Sequence, residues 1–151
     1  MTSTDRTEQN LDKAISHTES EISRTDGKAS ALLTLNGLLV AALSLVGTDV
    51  HGVSLAFAVT GALALVAAVV LTLMVVQPRL KAPGGNHDRS SFVYWATATP
   101  EDIAAGLKED RRLARVQVLS RIALRKMRGL RHAGFASLTA VITIAAAVLT
   151  R

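Results

Sequence analysis

"VSLAFAVTGALALVAAVVLTLMVV", residues 53–76, is a run of twenty-four residues without a formal charge. At about 1.5 Å per residue a helix of that length reaches roughly 36 Å, against a hydrocarbon core of about 30 Å in a bilayer. It is apolar on every side, unlike a surface helix with one polar face. Upstream, "ASALLTLNGLLVAALSLVG" (residues 29–47) is likewise uncharged. So is "AGFASLTAVITIAAAVLT" (residues 133–150) near the other end. Each run is long enough to span, the longest with some tilt.

The alternative is a soluble bundle that hides three greasy helices, and the rest of the chain is too short and too charged to cover them. Of the 151 residues, 49% are hydrophobic, and they are gathered into these runs rather than interleaved with polar residues. The first run is not a secretory signal peptide, because it follows a long acid-rich segment and precedes no cleavage site. The chain has no cysteine, which excludes disulfides and thiolate metal sites. The reading is an all-α integral membrane protein with three transmembrane helices and a helical cytoplasmic module. Its parts are an N-terminal cytoplasmic helix (1–28), spans at 29–47, 53–76 and 133–150, and a cytoplasmic loop plus basic helix at 77–132.

Basic residues set the expected orientation. The link "TDVHG" (48–52) has no Lys or Arg, whereas the segment from Arg79 to Arg131 has twelve. Arg6, Lys13, Arg24 and Lys28 precede the first span. The positive-inside rule therefore puts the N-terminus and the long connector in the cytoplasm, and Arg151 outside. Small residues at four-residue spacing, such as Ala58 and Ala62 or Ala136 and Ala140, let helix backbones approach closely. They serve either packing within one chain or contact between chains.

In the first polar segment, Leu11, Ile15, Thr18 and Ile22 make a weak stripe on a helix from about Thr4 to Arg24, which needs a partner helix to hold it. "QPRLKAPGGNHDRSS" (77–91) reads as a loop, and Gly84 and Gly85 lack the context of a phosphate-cradling motif. In "TPED" (99–102) Thr99 is the N-cap, Pro100 the first helical residue, and the two acids sit at the positive end of the helix dipole. The helix so begun is expected to break or flex at Gly106. Beyond it, Leu113, Val116, Leu119, Ala123, Leu124, Met127 and Leu130 form an apolar stripe around Ser120. Arg111, Arg115, Arg121, Arg125, Lys126 and Arg128 lie opposite. That cationic face suits orientation beside anionic lipid headgroups, or a phosphate-bearing small ligand. With no nucleic-acid-binding fold in view, nucleic acid is not expected as a partner. His17, His51, His87 and His132 are scattered with no metal spacing, and no nucleophile has a local base. No catalytic or metal residue is assigned, and the protein is not expected to be an enzyme.

Three stretches together resemble one family. "RTDGKASALLTLNGLL" (24–39) looks like the Asp-x-Lys-Ala entry to the first span of the Pycsar transmembrane effectors, bacterial antiphage proteins. "FVYWATATPEDIAAGL" (92–107) is similar to that family's aromatic segment and capped helix. "DRRLARVQVLSRIALRKMRGLRHAG" (110–134) resembles its most recognisable stretch, with Gln117, Ser120, Ile122, Lys126 and Leu130 at matching places. The resemblance covers nearly the whole chain. It implies a defence role at the bacterial inner membrane. A partner cyclase makes cyclic UMP or cyclic CMP on infection, and the effector senses this activating ligand and impairs the membrane, giving abortive infection. No other cofactor is implied.

Residue chemistry then suggests a ligand site. Arg111, Arg115 and Arg121 suit the phosphate, Gln117 a base edge, and Tyr94 or Trp95 the stacked pyrimidine. Tyr94 and Trp95 equally suit interfacial packing. Asp26, Lys28 and Asn36, at the mouth and in the body of the first span, are expected to couple the cytoplasmic helices to the spans. The bland reading is snorkelling plus one intrachain hydrogen bond. Three uncharged spans cannot line an ion path alone, so a homo-oligomer is expected on activation. The rival readings are a constitutive scaffold or partner-binding subunit, and a small channel component, neither sensing a nucleotide.

Overall fold

The computed structural model describes residues 3–44, 51–77 and 92–150. The loop read at 77–91, the far end of the first span, the turn at 48–50 and Arg151 lie largely or wholly outside them. Every regular element among the described residues is helical. Helix α1 runs Ser3–Ser44, α2 Gly52–Val76, α3 Phe92–Trp95, α4 Pro100–Leu107 and α5 Arg112–Leu149. Helices α1, α2 and α5 are each long and apolar enough to cross a membrane. The polar and apolar halves of α1 form one uninterrupted helix, as do those of α5.

The chain divides into two compact units, one of Met1–Glu21 with Pro78–Ala123, the other of Ile22–Gln77 with Leu124–Arg151. In the second, apolar unit, buried positions recur at alternating steps of three and four. On α2 they are Ser54, Ala58, Gly61, Leu65, Ala68, Thr72 and Val75. On α5 they are Ala133, Ser137, Ala140, Ile144 and Ala147, and on α1 they include Thr25, Ala29 and Asn36. This is the seam of left-handed coiled-coil-like packing.

Helix directions follow from the cross-helix pairs of this unit. Asp26 bonds Lys126, and Asn36 bonds Ser137, so residue numbers rise together and α1 runs parallel to α5. The Ser54 hydroxyl donates to the Ala147 carbonyl at 2.7 Å, while Gly129 meets Val75, so α2 is antiparallel to α5. Small side chains bring the backbones close. A Cβ built on Gly61 would lie 2.9 Å from both Ile144 Cγ1 and Thr143 Oγ1. Leu65, Ala140 and Ile144 form the apolar centre, with Leu39, Leu43 and Ala64 packed on it.

The outer faces carry large apolar side chains, such as Leu38, Leu63, Val66 and Leu138, all more than half exposed. Outward hydroxyls are satisfied within their own helix: Thr34 donates to the Ser30 carbonyl, Thr60 to Ala56 and Thr139 to Phe135. In a medium without water, that is where such protons must go.

In the first unit, α4 starts as its sequence requires. The Asp102 amide donates to Thr99 Oγ1 at 3.2 Å, with Pro100 at the first turn. The helix does not break at Gly106, which lies inside α4. The break comes at residues 108–111, where Glu109 and Asp110 favour a new helix start. The Asp110 carboxylate accepts the Arg112 amide at 3.1 Å and so holds the beginning of α5.

Candidate ligand and coupling site

The inward face of α5 keeps four members of the apolar stripe read from sequence, Ala123 buried and Val116, Leu119 and Leu130 half-buried, and departs from it at the other three. Leu113, Leu124 and Met127 are exposed, at 72%, 51% and 41%. Arg112, Arg115 and Lys126 are instead turned in and meet acids on α1. Arg112 Nη1 reaches Asp12 at 3.3 Å and Nη2 reaches Glu8 at 3.9 Å. Arg115 Nη2 donates to Glu19 at 2.8 Å. Lys126 Nζ donates to both Asp26 oxygens, at 2.5 and 2.7 Å. Helix α1 offers Asp12, Glu19 and Asp26 at seven-residue steps along one flank. That repeat is the sequence signal for Asp12 and Glu19 as partners of the cations; residue chemistry alone passes over Arg112, Glu8, Asp12, Glu19 and Ser137, and the repeat points to neither Glu8 nor Ser137.

Of the six residues suggested for ligand contact, all lie in the first unit. Arg111 is engaged by Glu109, through Nε at 2.7 Å and more closely through Nη2. Arg115 is held by Glu19. Gln117 and Arg121 are exposed, and no carboxylate among the described residues pairs with Arg121. Tyr94 is half-buried on α3, with Trp95 beside it 38% exposed. Asp110 is held by Arg112, first through its guanidinium and then through its backbone N–H, which lowers its pKa to about 2. A fixed anion therefore stands beside the arginines at any physiological pH.

The coupling residues lie in the second unit. Lys28 is exposed, and Asp26 is half-buried in its pair with Lys126. Asn36 is fully buried. The Ser137 hydroxyl lies 2.8 Å from Asn36 Oδ1 and 3.1 Å from the Ala133 carbonyl, and it has one proton to donate. Asn36 Nδ2 is buried without a partner. Turning the amide over lets Nδ2 donate to Ser137 Oγ while the hydroxyl donates to Ala133, which leaves only a carbonyl oxygen unmatched. Between α1 and α2, a groove of about 380 Å³ lined by Val40, Leu43, Ala62, Leu65 and Val66 is wholly apolar, which suits an acyl chain and not a charged ligand.

No curated protein and no solved structure matches the chain. The profile described as the Pycsar effector protein domain does, over residues 10–151. That match takes in α2, α3, α4, α5 and most of α1, including both Asp26–Lys126 and Asn36–Ser137. The chain belongs to the Pycsar effector family.

Proposed function

We propose that the protein is the membrane effector of a cyclic-pyrimidine-nucleotide antiphage system. It senses cyclic UMP or cyclic CMP from a partner cyclase and impairs the bacterial inner membrane. In this reading the N-terminus and the segment 77–132 lie in the cytoplasm, the spans are 29–47, 53–76 and 133–150, and the C-terminus is outside.

Beyond family membership, the observation that carries the reading is the pairing of α5 arginines with carboxylates, Arg115 with Glu19 and Arg111 with Glu109. A cyclic mononucleotide carries one phosphate negative charge, and its oxygens accept from guanidinium N–H groups as those carboxylates do. The ligand phosphate replaces Glu19 at Arg115 and recruits Arg121, Gln117 meets the base edge, and Tyr94 or Trp95 stacks on the pyrimidine. Releasing Glu19 loosens α1 from α5 in the first unit. Both helices continue into the second, where Asp26–Lys126 and Asn36–Ser137 join them again. Several chains then associate, forming a pore or a distorted bilayer. The protein needs no catalysis of its own.

Calorimetric titration of purified protein with each nucleotide tests this. Arg115→Ala and Arg121→Ala are each expected to weaken binding about tenfold or more, as loss of a charged hydrogen bond does. Unchanged affinity across Arg111→Ala, Arg115→Ala and Arg121→Ala removes the proposed site.

A further inference from the structure

The cations of α5, with Arg111 just before it, show two kinds of surroundings. Arg111, Arg112, Arg115 and Lys126 each have a carboxylate partner. Arg125, Arg128 and Arg131 are exposed, and no carboxylate among the described residues pairs with them. Lys28 on α1 is exposed and unpaired in the same sense. Arg121, farther from the apolar run, is likewise exposed without a carboxylate partner among the described residues, and Lys126 is paired although it lies between Arg125 and Arg128. What sets Arg125, Arg128 and Arg131 apart is their place next to the apolar run. With Ala133 as the first residue of the apolar run and about 1.5 Å per residue, Arg131 stands roughly 3 Å outside it, Arg128 roughly 7.5 Å and Arg125 roughly 12 Å. Lys28 immediately precedes the run at Ala29. The headgroup layer on each side of a bilayer is about 5–7 Å deep. Arg131 and Lys28 therefore lie in it and Arg128 stands at its outer edge, while Arg125 is about 5 Å beyond, a gap that an extended arginine side chain bridges. Arg112 and Arg115, roughly 27 Å or more from the apolar run, lie in water beyond it and find their anions on α1.

From this arrangement we infer that Arg125, Arg128 and Arg131 of α5, with Lys28 of α1, form a binding surface for anionic phospholipid headgroups. The three arginines follow one another at i, i+3 spacing, each rotated about 60° from the last, which makes a short spiral of guanidinium forks. Lipid phosphates are the anions available at that depth, and guanidinium N–H groups match their oxygens in pairs. This surface is separate from the residues proposed for the nucleotide and does not depend on nucleotide sensing.

The test is native mass spectrometry of the full-length protein released from nanodiscs of equal phosphatidylcholine and phosphatidylglycerol. Wild type should retain phosphatidylglycerol in excess, and retention should fall when the nanodiscs are formed at about 0.5 M salt. Each arginine changed to Gln should lower that excess about fivefold, as expected for one basic residue near an anionic surface. R125Q/R128Q/R131Q should abolish the excess. R125K/R128K/R131K should keep most of it, which separates loss of charge from loss of fold. R112Q/R115Q should leave it intact. The inference is overturned if R125Q/R128Q/R131Q, or wild type in high salt, retains the full excess. It is also overturned if R112Q/R115Q loses it, or if excess cyclic UMP, cyclic CMP or an oligonucleotide strips the lipid from wild type, since the surface would then serve a soluble phosphate.

Discussion

Asn36 shows how one residue can cost stability and still be useful. Its amide is fully buried, and Nδ2 lacks a partner opposite Ser137. An unmatched buried donor costs about 1–3 kcal/mol, whereas exchanging the residue for an apolar one of similar size costs little. Ser137→Ala, which strands the amide, should therefore lower the melting temperature in detergent more than Asn36→Leu does. Equal effects would mean that the pair carries no such strain. If the junction couples sensing to the spans, Asn36→Leu should also reduce cyclase-dependent toxicity at equal protein level. Gly61 and Gly37 make a second contrast. A Cβ at Gly61 collides with Ile144 and Thr143, while one at Gly37 meets nothing within 4 Å. Gly61→Ala should cost about 1–3 kcal/mol by overpacking, and Gly37→Ala should be neutral or mildly stabilising. Thermal melts of the two variants side by side check this.

Between elements, the parallel pairing of α1 and α5 carries the most information. Because the chain has no cysteine, an introduced pair can be crosslinked without background. Glu19→Cys with Arg115→Cys, or Asp12→Cys with Arg112→Cys, should be joined within one chain by a bifunctional thiol-reactive crosslinker with an arm as long as the ion pair it replaces, and failure of both would refute the register. Reversing Asp26 alone to Lys should destabilise by about 1–2 kcal/mol, because it puts like charges together in a half-buried site. Adding Lys126→Asp should recover most of that loss, as read from detergent melts. The start of α5 has its own pH signature. Folding lowers the Asp110 pKa from 3.8 to about 2, so its contribution is complete above pH 3.8 and is lost as pH falls towards 2. Near neutrality, titration of this group should leave helicity at residues 110–115 unchanged, as followed by amide exchange.

How much of this could be read in advance differs by element. Twenty-four uncharged residues leave a helix little choice but lipid, so 53–76 was legible at once, and α2 occupies 52–76. The Thr99–Pro100 start was equally legible, because its signal is local. Gly106 misled, because a glycine weakens a helix without ending it, and the acids three and four residues later set the new start. The stripe on α5 was legible in part: Val116, Leu119, Ala123 and Leu130 are buried or half-buried, whereas Leu113, Leu124 and Met127 are exposed. Apolar periodicity shows where area could be buried, but Arg112 and Arg115 turn inward to meet acids a hundred or so residues away. Only the heptad of acids on α1, read together with the arginines, foretells that. An amide in the body of a span needs a partner on another helix, but nothing local to the sequence singles out Ser137.

At the scale of the molecule, α1 and α5 run parallel and α2 antiparallel within the apolar unit, and the sequences of α1 and α5 each extend into both units. In the proposed reading, those two helices carry the signal. Activation on this reading changes the association of chains. Crosslinking in membranes should give higher oligomers when cyclic nucleotide is present, and a monomer in both states would oppose the account. The most direct measurement follows membrane potential in cells that co-express the protein with a cyclic UMP or a cyclic CMP synthase. Rapid depolarisation with one active cyclase, absent with its inactive variant and absent when Arg115 and Arg121 are both alanine, is the predicted result. A potential that stays intact with both active cyclases at full effector level, or collapses equally without any, would contradict the central claim.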